Sequence, residues 1–327
     1  MPSLSLSRRQ MLGLAAAGLL NIPGPRSARA AGSKLSPAEF RKRLRGPILS
    51  IPTVYTKDFQ LDMQGVRNQI ELASKAGVKV FALTAGNNQY DRLTYKEIQR
   101  LTSVMVETVA GRGVTIAATG PWWTGQAVDY MRFAASVGAD CVQVLLPRHG
   151  PPEELLGHFQ KIAAAADISI GLHGKVPLPA LKQLLTIDQV AAYKEEYPQS
   201  YSMEVFHLYG KRLNIFAGGQ KSRFLFYQPY GMQAYYSTFA TFAPEIAMKF
   251  WRAAERGAFD EARRVMFEYD IPFFQKWSHP FWRATLEHFG VAQRWLRPPE
   301  KSFTDKQMAE VGAFYRQLGV HNPAEGS

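Results

Sequence analysis

From Gly46 onward the chain alternates short β-rich apolar runs with longer stretches of helical period, and this alternation limits its fold more than any single motif does. Runs at 48–54, 78–84, 114–118, 141–146, 168–172, 189–194, 213–217 and 234–237 predict eight strands. Helical patterns such as 64–75, 95–110, 125–137 and 153–166 lie between them. Eight strands with intervening helices predict an α/β fold, a (β/α)8 TIM barrel with a C-terminal helical extension, rather than an open sheet. The extension is read from residues 244–319, which show helical period only, broken near Pro280 and at Arg297-Pro298-Pro299. The expected organisation is a leader at 1–30, an arm at 31–45, a barrel at 46–243, and the last barrel helix plus extension at 244–327.

Several classes are excluded early. A composition of 46% hydrophobic and 20% charged residues can bury a large core, so a disordered or fibrous chain does not fit. No strand is followed by G-x-G-x-x-G or by G-x-x-x-x-G-K, and Gly218-Gly219 is only a glycine pair, so no nucleotide cofactor is expected. Cys141, the single cysteine, cannot form an internal disulfide and reads as core within its apolar run. His158, His207, His279, His288 and His321 lack paired-ligand spacing, and no metal is expected.

The first thirty residues carry Arg8, Arg9, Arg26 and Arg29 with no acid, and so supply part of the formal charge of +12. Ser7-Arg8-Arg9-Gln10-Met11-Leu12, an apolar run through Leu20 and then Ala28-Arg29-Ala30 resemble a twin-arginine export signal cleaved after Ala30. The reading implies a bacterial periplasmic or otherwise exported protein that engages the twin-arginine machinery. After cleavage no segment is long enough to stay in a bilayer. The basic arm Lys34, Arg41, Lys42, Arg43 and Arg45 reads as the solvated face of a short helix, because no nucleic-acid-binding motif accompanies it.

In such a barrel, chemistry sits at the C-terminal ends of the strands. That rule selects Tyr55, Gly86, Asn87, Asn88, Thr119-Gly120, Arg148, His149, His173, Lys194, Gly218, Gly219, Ser237 and Thr238. Lys194 most needs an explanation. Strand alternation puts Val190, Ala192 and Lys194 on one face and Ala191, Tyr193 and Glu195 on the other. If the first face lines the interior, Lys194 caps an apolar column and its amine loses solvation; otherwise it snorkels to solvent at a strand end. An unperturbed lysine is neutral in about one molecule in two thousand at pH 7, and each unit of pKa depression raises that fraction tenfold. The free amine can attack a ketone to give a Schiff base, whose iminium stabilises a neighbouring carbanion.

Leu93-Thr94 with Glu97, Gly138-Ala139-Asp140, Pro147 after the fourth strand, Lys194-Glu195 and Arg297-Pro298-Pro299 follow one another in an order similar to that of the dihydrodipicolinate synthase/N-acetylneuraminate lyase family of Schiff-base aldolases. The resemblance runs from about Gly46 to Val320 and implies that Lys194 is the Schiff-base lysine. It also implies a homo-oligomer, dimer or tetramer, acting on a small molecule. Where the family carries Gly-Thr-Thr-Gly-Glu to bind a keto-acid carboxylate, this chain has Gly86-Asn87-Asn88-Gln89-Tyr90, whose amides can still donate to an anion. Where the family places its proton-shuttling tyrosine, this chain has Pro147-Arg148-His149, and His149 is expected to move protons there. His173 replaces the Tyr-Asn that usually ends the fifth strand. Arg148, His173, Gly218, Gly219, Ser237 and Thr238 are expected to line the substrate cavity with Gly86, Asn87 and Asn88.

Two functions remain open on these residues. One is an exported lyase, aldolase or hydro-lyase, working through Lys194 on a keto-acid or sugar-derived carbonyl compound. The other is a non-catalytic barrel that binds an extracytoplasmic sugar acid.

Overall fold

The computed structural model describes residues 35–219 and 221–321. The proposed export signal lies outside them. Eight parallel strands close into a barrel in sequence order, β1(Gly46–Ser50), β2(Val80–Ala82), β3(Val114–Ala118), β4(Cys141–Leu145), β5(Ser169–His173), β6(Val190–Glu195), β7(Asn214–Ala217) and β8(Ala234–Ser237), with β8 pairing back onto β1. Ahead of them lies α1(Pro37–Arg43), and around them α2(Met63–Ala76), α3(Tyr95–Val109), α4(Thr124–Ser136), α5(Leu155–Ala163), α6(Leu178–Leu184), α7(Gln199–Tyr209), α8(Lys221–Tyr227) and α9(Pro244–Glu255). The extension is helical, with α10(Phe259–Val265), α11(Ile271–Lys276), α12(His279–His288) and α13(Asp305–Gln317). The fold is thus a TIM barrel with C-terminal helices. No described helix is long and apolar enough to cross a membrane.

All eight predicted strands form, and the first two end early for identifiable reasons. Ile51 still donates to Ala82 O at 3.0 Å, but Pro52 has no N–H and the β1 ladder stops. On β2, Thr84 gives its N–H to the Asn88 side chain at 2.7 Å instead of to a strand.

Two apolar layers follow from the pleat. Ile48, Ala82, Ile116, Cys141, Phe216 and Tyr236 fill the barrel, while Leu49, Phe81, Val142, Ile170, Tyr193 and Tyr235 face the helices. Cys141 is core, and burial pushes its thiol up. β6 corrects one expectation. A register shift opposite Ile170 and Gly171 inserts an extra residue, so Val190 turns to the helix layer while Ala191 and Ala192 both face inward. Lys194 keeps its inward place, paired in register with Phe216.

The N-terminal end of the barrel is plugged. Helix α1 starts with a capping box between Ser36 and Glu39 and sends Phe40 and Leu44 into the interior cluster. The Asn214 amide of β7 donates to Arg41 O and to Leu44 O, each at 2.8 Å, and so satisfies carbonyls at the end of the helix. Lys42, Arg43 and Arg45 are exposed.

Candidate active site

Lys194 stands near the C-terminal end of β6 with 7% of its surface exposed. Its Nζ lies 2.8 Å from Glu196 Oε2, 3.1 Å from His173 Nε2 and 5.5 Å from the centre of the Tyr236 ring. Burial pushes the amine down from the usual lysine range, while the Glu196 carboxylate works in the opposite direction. Glu196 follows β6 on the same face as Lys194, and about a third of its side chain is open to solvent. Burial alone would push its carboxyl up, but the His173 hydrogen bond and the Lys194 charge hold it at about 2. Glu196 thus links the buried amine to solvent.

His173 ends β5, and its ring is held on both sides. Nε2 lies 2.9 Å from Glu196 Oε1, and Nδ1 lies 3.2 Å from the Gln143 amide nitrogen of β4. Gln143 Oε1 in turn accepts a hydrogen bond from the Tyr236 hydroxyl of β8 at 3.0 Å. Burial pushes the imidazole down from its ordinary value, so it is neutral at pH 7. The turn beyond it is fixed by Gly174, at φ +120°, whose N–H donates to the Tyr197 hydroxyl at 2.7 Å. Tyr193 reinforces the same turn by donating to Gly174 O at 2.8 Å.

Gly218 sits against the ion pair. A Cβ there would come within 2.7 Å of Glu196 Oε2 and 2.8 Å of Lys194 Cε, so a side chain at this position would push the ends of both ion-pair partners aside. Gly86 and Gly219 face open space. Asn87 donates to Ser50 Oγ at 2.7 Å and is half-buried. Asn88 is fully buried, its side chain accepting from Thr84 N at 2.7 Å and donating to Thr53 Oγ1 at 3.3 Å, so it ties the loop after β2 to the loop after β1.

Arg283 of α12 holds that loop from behind. Fully buried, it donates to Thr53 O and Asn87 O, each at 3.0 Å, and burial pushes its guanidinium down to about 10. The C-terminal extension thus reaches into the mouth of the barrel.

Several expected residues lie elsewhere. Arg148 and His149 are exposed on the bend after β4 and make no hydrogen bond or ion pair with another described residue, so the histidine at the amine is His173, not His149. Strand alternation turns Ser237 with Tyr235 toward the helices, and its buried hydroxyl has no partner among the described residues; Thr238 is half-buried and its carbonyl starts a helical turn. Two of the sequence pieces meet across the chain. Glu97, which closes the capping box with Thr94, takes Arg297 Nη2 at 2.6 Å and is held at about 2, chiefly by that hydrogen bond.

Sequence reasoning missed Glu196, Gln143, Tyr236 and Arg283. Extending the alternation of β6 by two residues would have found Glu196 beside Lys194. The others depend on register between distant strands and carry no local signal.

A model described as the Dihydrodipicolinate synthetase family matches residues 43–317. The chain is 25% identical over 291 residues to 4-hydroxy-tetrahydrodipicolinate synthase of Methanosarcina mazei, covering 84% of this chain and 98% of that one. It is 27% identical over 249 residues to a probable 5-dehydro-4-deoxyglucarate dehydratase of Streptomyces avermitilis, covering 72% and 75%. The crystal structure of dihydrodipicolinate synthase from Aquifex aeolicus superposes with a TM-score of 0.77 over 85% of this chain and 99% of that one, at 20% identity, a likeness of fold.

Proposed function

Since the chain belongs to the dihydrodipicolinate synthetase family of lyases and dehydratases, we propose that it is an exported lyase or hydro-lyase in which Lys194 condenses with the carbonyl of a keto acid or sugar-derived substrate. One observation carries the reading: a nearly buried amine at a strand end of the barrel, with a histidine and a carboxylate both within hydrogen-bonding range.

The chemistry follows from that environment. Desolvation raises the fraction of free amine, and its lone pair attacks the carbonyl carbon. The adduct loses water to leave an iminium, which draws electrons from the adjacent carbon and so eases either carbon–carbon cleavage or loss of a hydroxyl. Asn87, fixed by Ser50 at the end of β1, and the exposed Gly86 would meet the substrate's anionic head. The dehydratase-like relative supports a hydroxylated keto acid as substrate.

The test is borohydride trapping with pyruvate and with keto sugar acids, followed by peptide mapping. An adduct at Lys194 is expected. Absence of any adduct with a compound shown to bind ends the proposal.

The ion pair with Glu196 favours a second reading, a barrel that binds a sugar acid without turning it over, because a paired ammonium is not a nucleophile. Measurable turnover that disappears in Lys194→Ala removes it. Export is checked separately: the periplasmic protein should begin at Ala31, and replacing Arg8 and Arg9 with lysine should retain it in the cytoplasm. Family members bind small molecules and are typically oligomeric. A homodimer or homotetramer of this chain is tested by sedimentation.

A further inference from the structure

Four side chains from four strands form one chain of hydrogen bonds ending at the amine. The Tyr236 hydroxyl lies 3.0 Å from Gln143 Oε1, an atom that can only accept, so the hydroxyl donates. The other end of that amide, its nitrogen, lies toward His173 Nδ1, 3.2 Å away. An amide nitrogen only donates, so Nδ1 must accept, and neutral His173 carries its proton on Nε2. Nε2–H then points at Glu196 Oε1, 2.9 Å away, with Lys194 Nζ at 3.1 Å. In this tautomer the imidazole has no lone pair left for the amine's proton.

We propose that Gln143, oriented by Tyr236, locks His173 as the Nε2–H tautomer and thereby makes Glu196 the group that carries the proton between Lys194 Nζ and the departing substrate oxygen. The proposal rests on the Schiff-base reading above. The ammonium gives a proton to the Glu196 carboxylate across the 2.8 Å contact, and the freed lone pair forms the C–N bond as the carbonyl π pair moves to oxygen. A second nitrogen proton passes to that oxygen. Glu196 then returns its proton to the hydroxyl, the C–O bond breaks, water leaves and the iminium keeps the positive charge. Ammonium, carboxylate and carbonyl compound thus become iminium, carboxylate and water, balanced in atoms and charge.

The lock also biases the amine. With Nε2–H committed to Glu196, the imidazole offers no acceptor to Nζ, whereas the other tautomer would accept a hydrogen bond from the ammonium and stabilise it. The titratable groups around Nζ are His173 from β5, Glu196 after β6, Tyr236 from β8 and, deeper in the barrel, Cys141 of β4. Tyr236 and Cys141 are both pushed up by burial and stay neutral, so the histidine–carboxylate pair is left to respond. Gln143 and Tyr236 are positioning residues.

The test uses the full chain and three readouts. In 15N-histidine NMR, with the His173 signal assigned by its loss in His173→Asn, the unaltered protein should report Nε2–H, and Tyr236→Phe or Gln143→Leu should give a mixture of tautomers. Finding Nδ1–H in the unaltered protein overturns the lock. Limiting acetic anhydride then reads the pH at which Lys194 becomes a free amine. In Tyr236→Phe that midpoint should move up by about half a unit, the size of one ordinary hydrogen bond to the ammonium. An unmoved or lowered midpoint overturns the bias. Finally, borohydride trapping with pyruvate should slow about 100-fold in Glu196→Gln, the size of a lost proton carrier, and trapping at the parental rate overturns the role of Glu196. If the unaltered protein traps no keto compound at all, the Schiff-base reading fails and the proton route with it. The NMR and acetylation results still decide the tautomer lock.

Discussion

Two lysines in this protein lose almost all their water, and they do so in opposite ways. Lys194 opens onto the mouth of the barrel, shares its carboxylate with a histidine, and faces a Glu196 side chain that is 35% exposed. Lys221, at the start of α8, is sealed at 1% exposure, bound to Asp270 at 2.5 Å and packed over the rings of Phe239 and Phe250. Burial pushes both amines down. It also pushes Asp270 up, whereas Glu196, with solvent and two partners beside it, is held low. Desolvation is therefore common to both lysines, and what separates the proposed reactive amine from the structural one is access. The buried Asp270 Oδ2, which has no partner among the described residues, marks the Lys221 pair as a closed contact between barrel and extension.

Removing each amine separates the two cases most directly. Lys194→Ala should abolish turnover and the trapped adduct while leaving a folded protein, read by peptide mapping and circular dichroism. Lys221→Ala should keep the adduct but lower stability by about 3–5 kcal/mol in denaturant titration, because it leaves Asp270 as an uncompensated buried charge. Loss of the adduct from folded Lys221→Ala would mean that the two lysines are not separate. A smaller effect is expected at Gly218→Ala, where the new methyl must push Glu196 from Nζ. Trapping should slow between tenfold and about 100-fold with little loss of stability.

The smallest effect sharpens the role of exposure. Glu97 and Arg297 form a third ion pair, each side chain 23% exposed, between the open and sealed cases. The folded pKa of Glu97, about 2, lies below the unfolded value of about 4.3. Its contribution is thus complete above the unfolded value and fades as the pH falls toward 2. Glu97→Gln should flatten the fall in stability across that interval in acid titrations, and an unchanged slope would show that solvent cancels the pair.

Much of this was legible in the sequence because it is periodic. Strand and helix alternation gave eight strands and placed Lys194 and His173 at the same end of the barrel. What stayed hidden was set across strands or in loops. The bulge that turns Val190 outward is a mismatch between β5 and β6, invisible in either alone. His149 looked like the proton carrier because it occupies the right position along the chain, but the bend after β4 leaves it in solvent. Gln143 and Arg283 act through partners 30 and 196 residues away, at separations where no local pattern speaks.

The plug made by α1 gives the barrel one door. With Phe40 and Leu44 stopping the far end, the reactant, product and water of the proposed condensation would all use the same threshold, one after another. A spent molecule then blocks the next arrival, and its inhibition of the fresh substrate should be competitive.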